Sequence, residues 1–259
     1  MYILLLDETN VESTKINNFF IYGGIFLPLE IVPVLHNKII EIRKKAGFQP
    51  TDFLKFETHS KPPSVISAAF SQAKDELINA CIDNKVLFIT YIVHHNIAKK
   101  HTLEKKIQWA SNEIIAQFDL FLQIQHDKGF VIFDSLPFKG SFRYIANLFN
   151  VGITTATSNT PHIPINIVSY SMSTTGASHL VSATDIILGA FRYCVNVSEE
   201  SVQAKKMFPN ILKLMYGNVD KEGEKNVIDY GLLIRPHRNV AYQKEYGELV
   251  SKLNSFLQK

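Results

Sequence analysis

A chain of 259 residues in which 46% of side chains are apolar and 20% are charged can bury a full core, which excludes disorder on a large scale. A net charge of +3 and a pI near 8.7 permit a polyanionic partner without demanding one. Two isolated cysteines, Cys81 and Cys194, exclude a disulfide scaffold or zinc ribbon and read as small apolar fillers in a reducing compartment.

Residues 2–6 form a continuous apolar run, the pattern of a central strand covered on both faces. No basic region or small-residue cleavage site accompanies it before Asp7 interrupts it, so no signal peptide is expected. Nor does any apolar stretch approach the roughly 20 residues of a membrane helix, and the expected location is the cytoplasm. A polar hairpin connection, 9–17, leads to a second β-rich run, 19–27, whose Gly23-Gly24 pair marks a bulge or a close backbone approach. Ile31, Leu35, Ile39 and Ile42 recur at helical spacing within 28–45. Residues 52–57 read as extended, and a breaker at 59–63 precedes a helix over 64–83.

A third strand follows at 86–93, then a long helix at 103–125 with Leu103, Ile107, Ala110, Ile114 and Phe121 on one stripe. Residues 130–133 read as a fourth strand, 141–149 as a short helix, 154–161 as a polar loop, 164–168 as a fifth strand and 181–197 as a helix. Beyond Ser198 the pattern yields a helix near 202–215, a short strand at 232–234 and a terminal helix at 242–257. Strand, strand, insertion, strand, then alternating helix and strand is the RNase H order. The expected fold is α/β: an RNase H-like mixed five-stranded sheet flanked by helices. Residues 1–200 would form the domain, with a helical insertion at about 28–85, and 201–259 a mostly helical extension packed on it.

Three acids fall at meaningful places in that order. Asp7 ends the first strand, Asp134 ends the fourth, and Asp185 opens the last core helix. First and fourth strands are parallel neighbours in such a sheet, and ligands of α/β folds gather at strand C-terminal ends. Any one of these acids alone reads as a turn, cap or helix-dipole residue. Together they would repel: two carboxylates about 4 Å apart cost roughly 4 kcal/mol at an effective dielectric near 20. A cation or a shared proton relieves this. Oxygen ligands with open positions suit Mg²⁺ or Mn²⁺, and two such ions can activate water and stabilise a leaving oxygen.

Leu6-Asp7-Glu8-Thr9 is similar to a "DES(G)" opening, Lys55-Phe56-Glu57 to the acidic and basic patch that follows it, Val131-Ile132-Phe133-Asp134 to a later strand-end Asp, and the segment Ser182 to Ala190 to an "LQLADLIAGA" helix. Over residues 2–197 the chain thus resembles the bacterial and phage domain family of unknown function numbered 3800. The resemblance implies an RNase H-like fold and a metal-dependent nuclease, of a kind met near mobile elements or defence loci. Thr9-Asn10 replaces the usual Ser-Gly, and Ser182-Ala183-Thr184 departs from the helix motif, but no carboxylate is lost.

On this reading Asp7, Glu57, Asp134 and Asp185 hold the metal. Lys55, two residues from Glu57 and therefore on the same face of an extended segment, contacts phosphate. Glu113 is the substitute fourth ligand, and Glu8 is expected on the opposite face of the strand.

His94-His95 lacks metal-ligand spacing and reads as solvated loop. His179 is a candidate proton donor, and Arg235, His237 and Arg238 with Lys205, Lys206 and Lys213 a candidate phosphate-binding surface. The aromatic residues sit mainly in apolar runs and read as core. No Walker loop, GxGxxG or GxSxG is present. The expected function is phosphodiester hydrolysis on nucleic acid, DNA or RNA. Its rivals are a non-catalytic binding module of the same fold and a haloacid dehalogenase-type phosphatase with Asp7 as nucleophile, whose pattern requires Asp where this chain has Thr9.

Overall fold

A computed structural model describes residues 1–156, 158–236 and 240–257. In chain order the elements are β1 (Tyr2–Thr9), β2 (Phe19–Pro28), α1 (Val32–Ala46), α2 (Ser67–Asp83), β3 (Leu87–His94), α3 (His95–Ala98), α4 (Leu103–Ile124) and β4 (Gly129–Phe133). There follow α5 (Ser141–Asn150), β5 (Ile153–Thr155), β6 (Ser158–His162), β7 (Ile167–Met172), α6 (His179–Asn196) and α7 (Val202–Leu214). The chain closes with β8 (Asn218–Val219), β9 (Lys225–Asn226), β10 (Leu232–Arg235) and α8 (Gln243–Ser255).

β1 is apolar up to Leu6 because that part is buried on both faces. Ile3 and Leu5 face a core built with α1, α2, α6 and α7, while Leu4 and Leu6 face a second core under α4. The main sheet has the order β10-β3-β2-β1-β4-β7. β2 pairs antiparallel with both β1 and β3, and β4 pairs parallel with both β1 and β7. Strands β3-β2-β1-β4-β7 with these directions constitute the RNase H-like arrangement.

The sheet has six strands rather than the five expected, because β10 pairs parallel with the outer edge of β3. Leu232 and Ile234 complete the first core and Leu233 the second, so the tail's short apolar run is an integral edge strand. The fifth strand of the core order, β7, starts later than its sequence suggests. It is an edge strand with Val168 and Ser171 exposed, and alternation with serine hides it from an apolar-run reading. Residues expected as a polar loop form the β5–β6 hairpin, anchored by buried Ile153. Gly23 and Gly24 mark close backbone approach and not a bulge, since β2 keeps an unbroken register with β1 and β3.

His94 and His95 are not solvated loop residues: they are 6% and 4% exposed. β3 runs to His94, whose Nδ1 caps α3 by accepting from the Asn96 N–H at 3.2 Å, and whose ring stacks on Tyr242. Burial, helped by the charge of Lys106, lowers the His95 pKa to about 4. An unfolded chain takes up that proton near pH 6.5, so this contribution to stability is full above pH 6.5 and is lost as pH falls towards 4. At 1.36 kcal/mol per pKa unit the loss is about 3 kcal/mol. Urea titrations at pH 7.5 and 4.5 should therefore show a smaller acid loss in His95→Phe than in the wild type; identical losses would refute this assignment.

Candidate functional site

The parallel pairing of β1 with β4 ends at Leu6 and Phe133, and the Asp134 N–H then donates to the Leu6 carbonyl at 2.8 Å. β1 does not end at Asp7, contrary to expectation. It continues to Thr9 because β2 goes on pairing with it after β4 has stopped. Asp7 therefore sits where β1 outruns β4, with Asp134 beside it. Leu5 and Ile132 both pack on the α6 side, so the period of two places Asp7 and Asp134 on that same side. The two aspartates line one crevice with Val181 and Thr184 of α6.

Asp185 follows Thr184 and lies inside α6, which starts at His179, rather than opening the helix. Its Oδ2 accepts the Phe56 N–H at 2.6 Å. Asp7 and Asp134 each accept the N–H of the next residue, Glu8 and Ser135, at 2.8 Å. Among the described residues no lysine or arginine forms a salt bridge with Asp7, Glu8 or Asp134.

The electrostatics follow. Burial pushes the Asp7 carboxyl up to about 8, the negative charges of Glu8, Asp134 and Asp185 add to this, and the Glu8 N–H opposes it. Burial also raises Asp185, against the Phe56 N–H and the charges of Lys55 and Arg192, with Glu57 adding to the rise. Glu8, pushed up to about 7 by burial and then by Asp134, is the acid that the sequence reading ranked low. Alternation does turn it to the α4 side, where Tyr22 is its partner in register. Beyond Leu6, however, β4 no longer flanks β1, so Glu8 and Asp134 interact around the open edge. The Tyr22 hydroxyl, fully buried in the same neighbourhood, has no hydrogen-bond partner among the described residues.

Glu57 follows Phe56 and so stands on the Asp185 side of the site. Residues 52–57 pair with no strand, and the side chains of Lys55 and Glu57 take different partners, Thr175 and Arg192. Glu57 pairs with Arg192 of α6, and its ring neighbour His59 stands at 3.8 Å. Its charge reaches Asp185 but is not among the influences on Asp7. Lys55 Nζ is 3.5 Å from Thr175 Oγ1 and its charge favours ionised Asp185, so it does stand at the edge of the acidic region. Glu113 is committed to the far side of the sheet: it binds Arg235 Nε at 3.0 Å and accepts the Ala156 N–H at 2.6 Å. That pair also engages Arg235 of the basic surface expected in the tail. His237 and Arg238 lie outside the described residues, and Lys205, Lys206 and Lys213 are exposed on α7. His179 packs against His36, with Arg43 Nη1 3.3 Å from its ring nitrogens.

Two residues explain why this chain tolerates its own departures and positions Asp185. Asn10, where the resembled motif has Gly, has φ of 53°, a left-handed conformation that Asn adopts more readily than most residues. Gly189, one turn after Asp185, leaves room for Phe56: a Cβ there would stand 2.5 Å from Phe56 Cβ and Cγ. The Phe56 ring lies under Lys74 and Arg192, and Lys74 Nζ donates to its carbonyl at 3.0 Å. Gly189→Ala should lift this segment off α6, cost about 1–3 kcal/mol by overpacking, and lower hydrogen-exchange protection of the Phe56 amide. Unchanged protection would show that the Asp185 contact does not depend on this fit.

Among the described residues no three His, Cys, Asp or Glu side chains stand close enough to hold an ion as they are placed. The donor chemistry nevertheless suits a hard cation. Asp7 and Asp134 share a crevice, all the donors are oxygens, and the burial and neighbouring negative charge that raise Asp7 are what a dication offsets.

No family model and no curated protein matches the chain. Among solved structures it is similar to the ribonuclease H2 from Pyrococcus horikoshii OT3, at 15% identity over 100% of both chains with a TM-score of 0.39, a likeness too slight to argue from. The class is set by strand order and direction: an RNase H-like α/β protein with Asp7 and Asp134 side by side where the parallel β1–β4 pairing stops. Among the described residues no helix is long and apolar enough to cross a membrane.

Proposed function

We propose that this chain is a divalent-metal-dependent nuclease, in keeping with its resemblance to the family of unknown function 3800. The observation that carries this reading is the placement of Asp7 and Asp134 side by side in one crevice under α6, without cationic partners among the described residues. Asp7 and Asp134 are the central ligands, with Asp185 presented from α6. Glu8 is the fourth acid in preference to Glu57, which Arg192 already neutralises. When bound, Mg²⁺ or Mn²⁺ supplies Lewis-acid charge to a phosphodiester and lowers the pKa of its water. The Phe56 N–H fixes the rotamer of Asp185, Lys55 offers charge to phosphate, and the Tyr22 hydroxyl is available to orient Glu8.

The phosphatase reading has little support. β1 runs on past Asp7 into an antiparallel hairpin with β2, and position 9 is Thr. The test is a panel of single- and double-stranded DNA, RNA and hybrid, with Mn²⁺ or with EDTA, comparing wild type with Asp7→Asn. Cleavage that needs Mn²⁺ and disappears in the variant is expected. Cleavage that survives unaltered in Asp7→Asn would sink the proposal, and so would its absence from every substrate.

A further inference from the structure

Between Asp134 and Asp185 the chain carries no carboxylate, while Lys139 and Arg143 carry positive charge. This stretch leaves the carboxyl end of β4, where Asp134 sits, and turns through 135–140 into α5. At that shoulder Lys139 and Arg143 are exposed, and Phe142, in the first turn of α5, is 79% exposed. A ring so open gains nothing from the core: α5 seats itself through Ser141 and Leu148 instead. On the Asp185 side, Phe53 is 47% exposed and lies against Gly176 in the turn before α6, close to Lys55 and Thr175. The carboxyl end of β4 thus carries Asp134 on the α6 side of the sheet, and on the α4 side, where α5 packs, an exposed ring with two cations; a second ring and Lys55 stand on the Asp185 side.

We propose that Phe142 is a stacking platform for an unpaired base, with Lys139 and Arg143 meeting the flanking phosphates, so that the substrate class is single-stranded or locally unpaired nucleic acid. An aromatic face accepts any base, and nearby cations track the backbone without reading sequence. The absence of acids over the whole stretch favours a polyanion over a protein partner. The proposal rests on the nuclease reading for the direction of the strand towards Asp134, but binding is measurable without turnover.

The experiment is fluorescence anisotropy of labelled single-stranded DNA and RNA and of duplex DNA in EDTA. It compares wild type with Phe142→Ala, Phe142→Trp and the double variant Lys139→Ala/Arg143→Ala. Phe142→Ala should weaken single-strand binding about tenfold and duplex binding less, with an unchanged melting temperature, and Phe142→Trp should retain binding. The double variant should flatten the salt dependence by about 0.7 log units per lost contact. Wild-type affinity in Phe142→Ala, or no binding by the wild type, overturns the proposal. It is likewise overturned if Phe142→Ala splits a dimer in sedimentation while leaving oligonucleotide binding intact, which would assign the shoulder to a second copy of the chain. If Phe142→Ala loses binding while Asp7→Asn cleaves like wild type, the nuclease site is misassigned and the platform stands.

Discussion

Asp134→Asn is expected to lower Mn²⁺-dependent cleavage by about a thousandfold while leaving the fold intact. A lost metal-ligand charge is worth several kcal/mol of transition-state stabilisation, and each 1.36 kcal/mol is a factor of about ten. The variant should melt no lower than wild type, because Asp134 adds to the repulsion that raises Asp7 and has no salt-bridge partner among the described residues. Two companions separate the fourth acid. Glu8→Gln should reduce cleavage by about a hundredfold or more, since Glu8 lies within the field of Asp134. Glu57→Gln should cost less than about 1 kcal/mol of stability, as expected for a half-exposed ion pair with Arg192, and little activity. Single-turnover rates at saturating Mn²⁺ decide between them. If Glu57→Gln is the crippled variant and Glu8→Gln is not, the fourth acid comes from the segment that holds Phe56 against α6 and the assignment of Glu8 fails.

Gly24→Ala should cost more than about 4 kcal/mol, enough to prevent accumulation of folded protein. Gly24 pairs with Leu6 across the β1–β2 ladder, and a Cβ there would stand 1.7 Å from the Leu5 carbonyl oxygen and 2.7 Å from its carbon. Both atoms are backbone in a central strand, so no side chain can yield. The damage would reach the site directly, because Asp7 lies next along β1, opposite Gly23. The control is Gly247→Ala in α8, where a Cβ meets nothing within 4 Å and helix propensity favours Ala by up to about 1 kcal/mol. Soluble expression and urea midpoints report both; a folded Gly24→Ala protein with a wild-type midpoint would show that β1 and β2 can separate at no cost.

Elements covered on both faces, or amphipathic over many turns, were legible in the sequence. β1, β2, β3 and α4 were placed within a few residues because their apolar patterns report burial directly. β7 and the β5–β6 hairpin were misplaced or missed: an edge strand covered on one side alternates with serine and exposes no apolar run. Residues 52–57 read as extended, and they join no ladder: the Phe56 N–H serves Asp185 instead. The buried histidines were misjudged because their polarity suggests water, whereas β3 extends to His94 and the chain beyond it is covered by Tyr242 and Tyr246.

By itself the sequence determined the order of the central strands and long helices and the placing of Asp7 and Asp134 at the first and fourth of those strands, because burial on both faces leaves a local apolar pattern. Only the tertiary structure decided which acids share a field. It let β1 outrun β4 so that the charge of Asp134 bears on Glu8, turned Glu57 to Arg192, and committed Glu113 to Arg235. Such pairings depend on where distant segments stop and on which counter-ion reaches a carboxylate first, and a linear pattern of residues encodes neither.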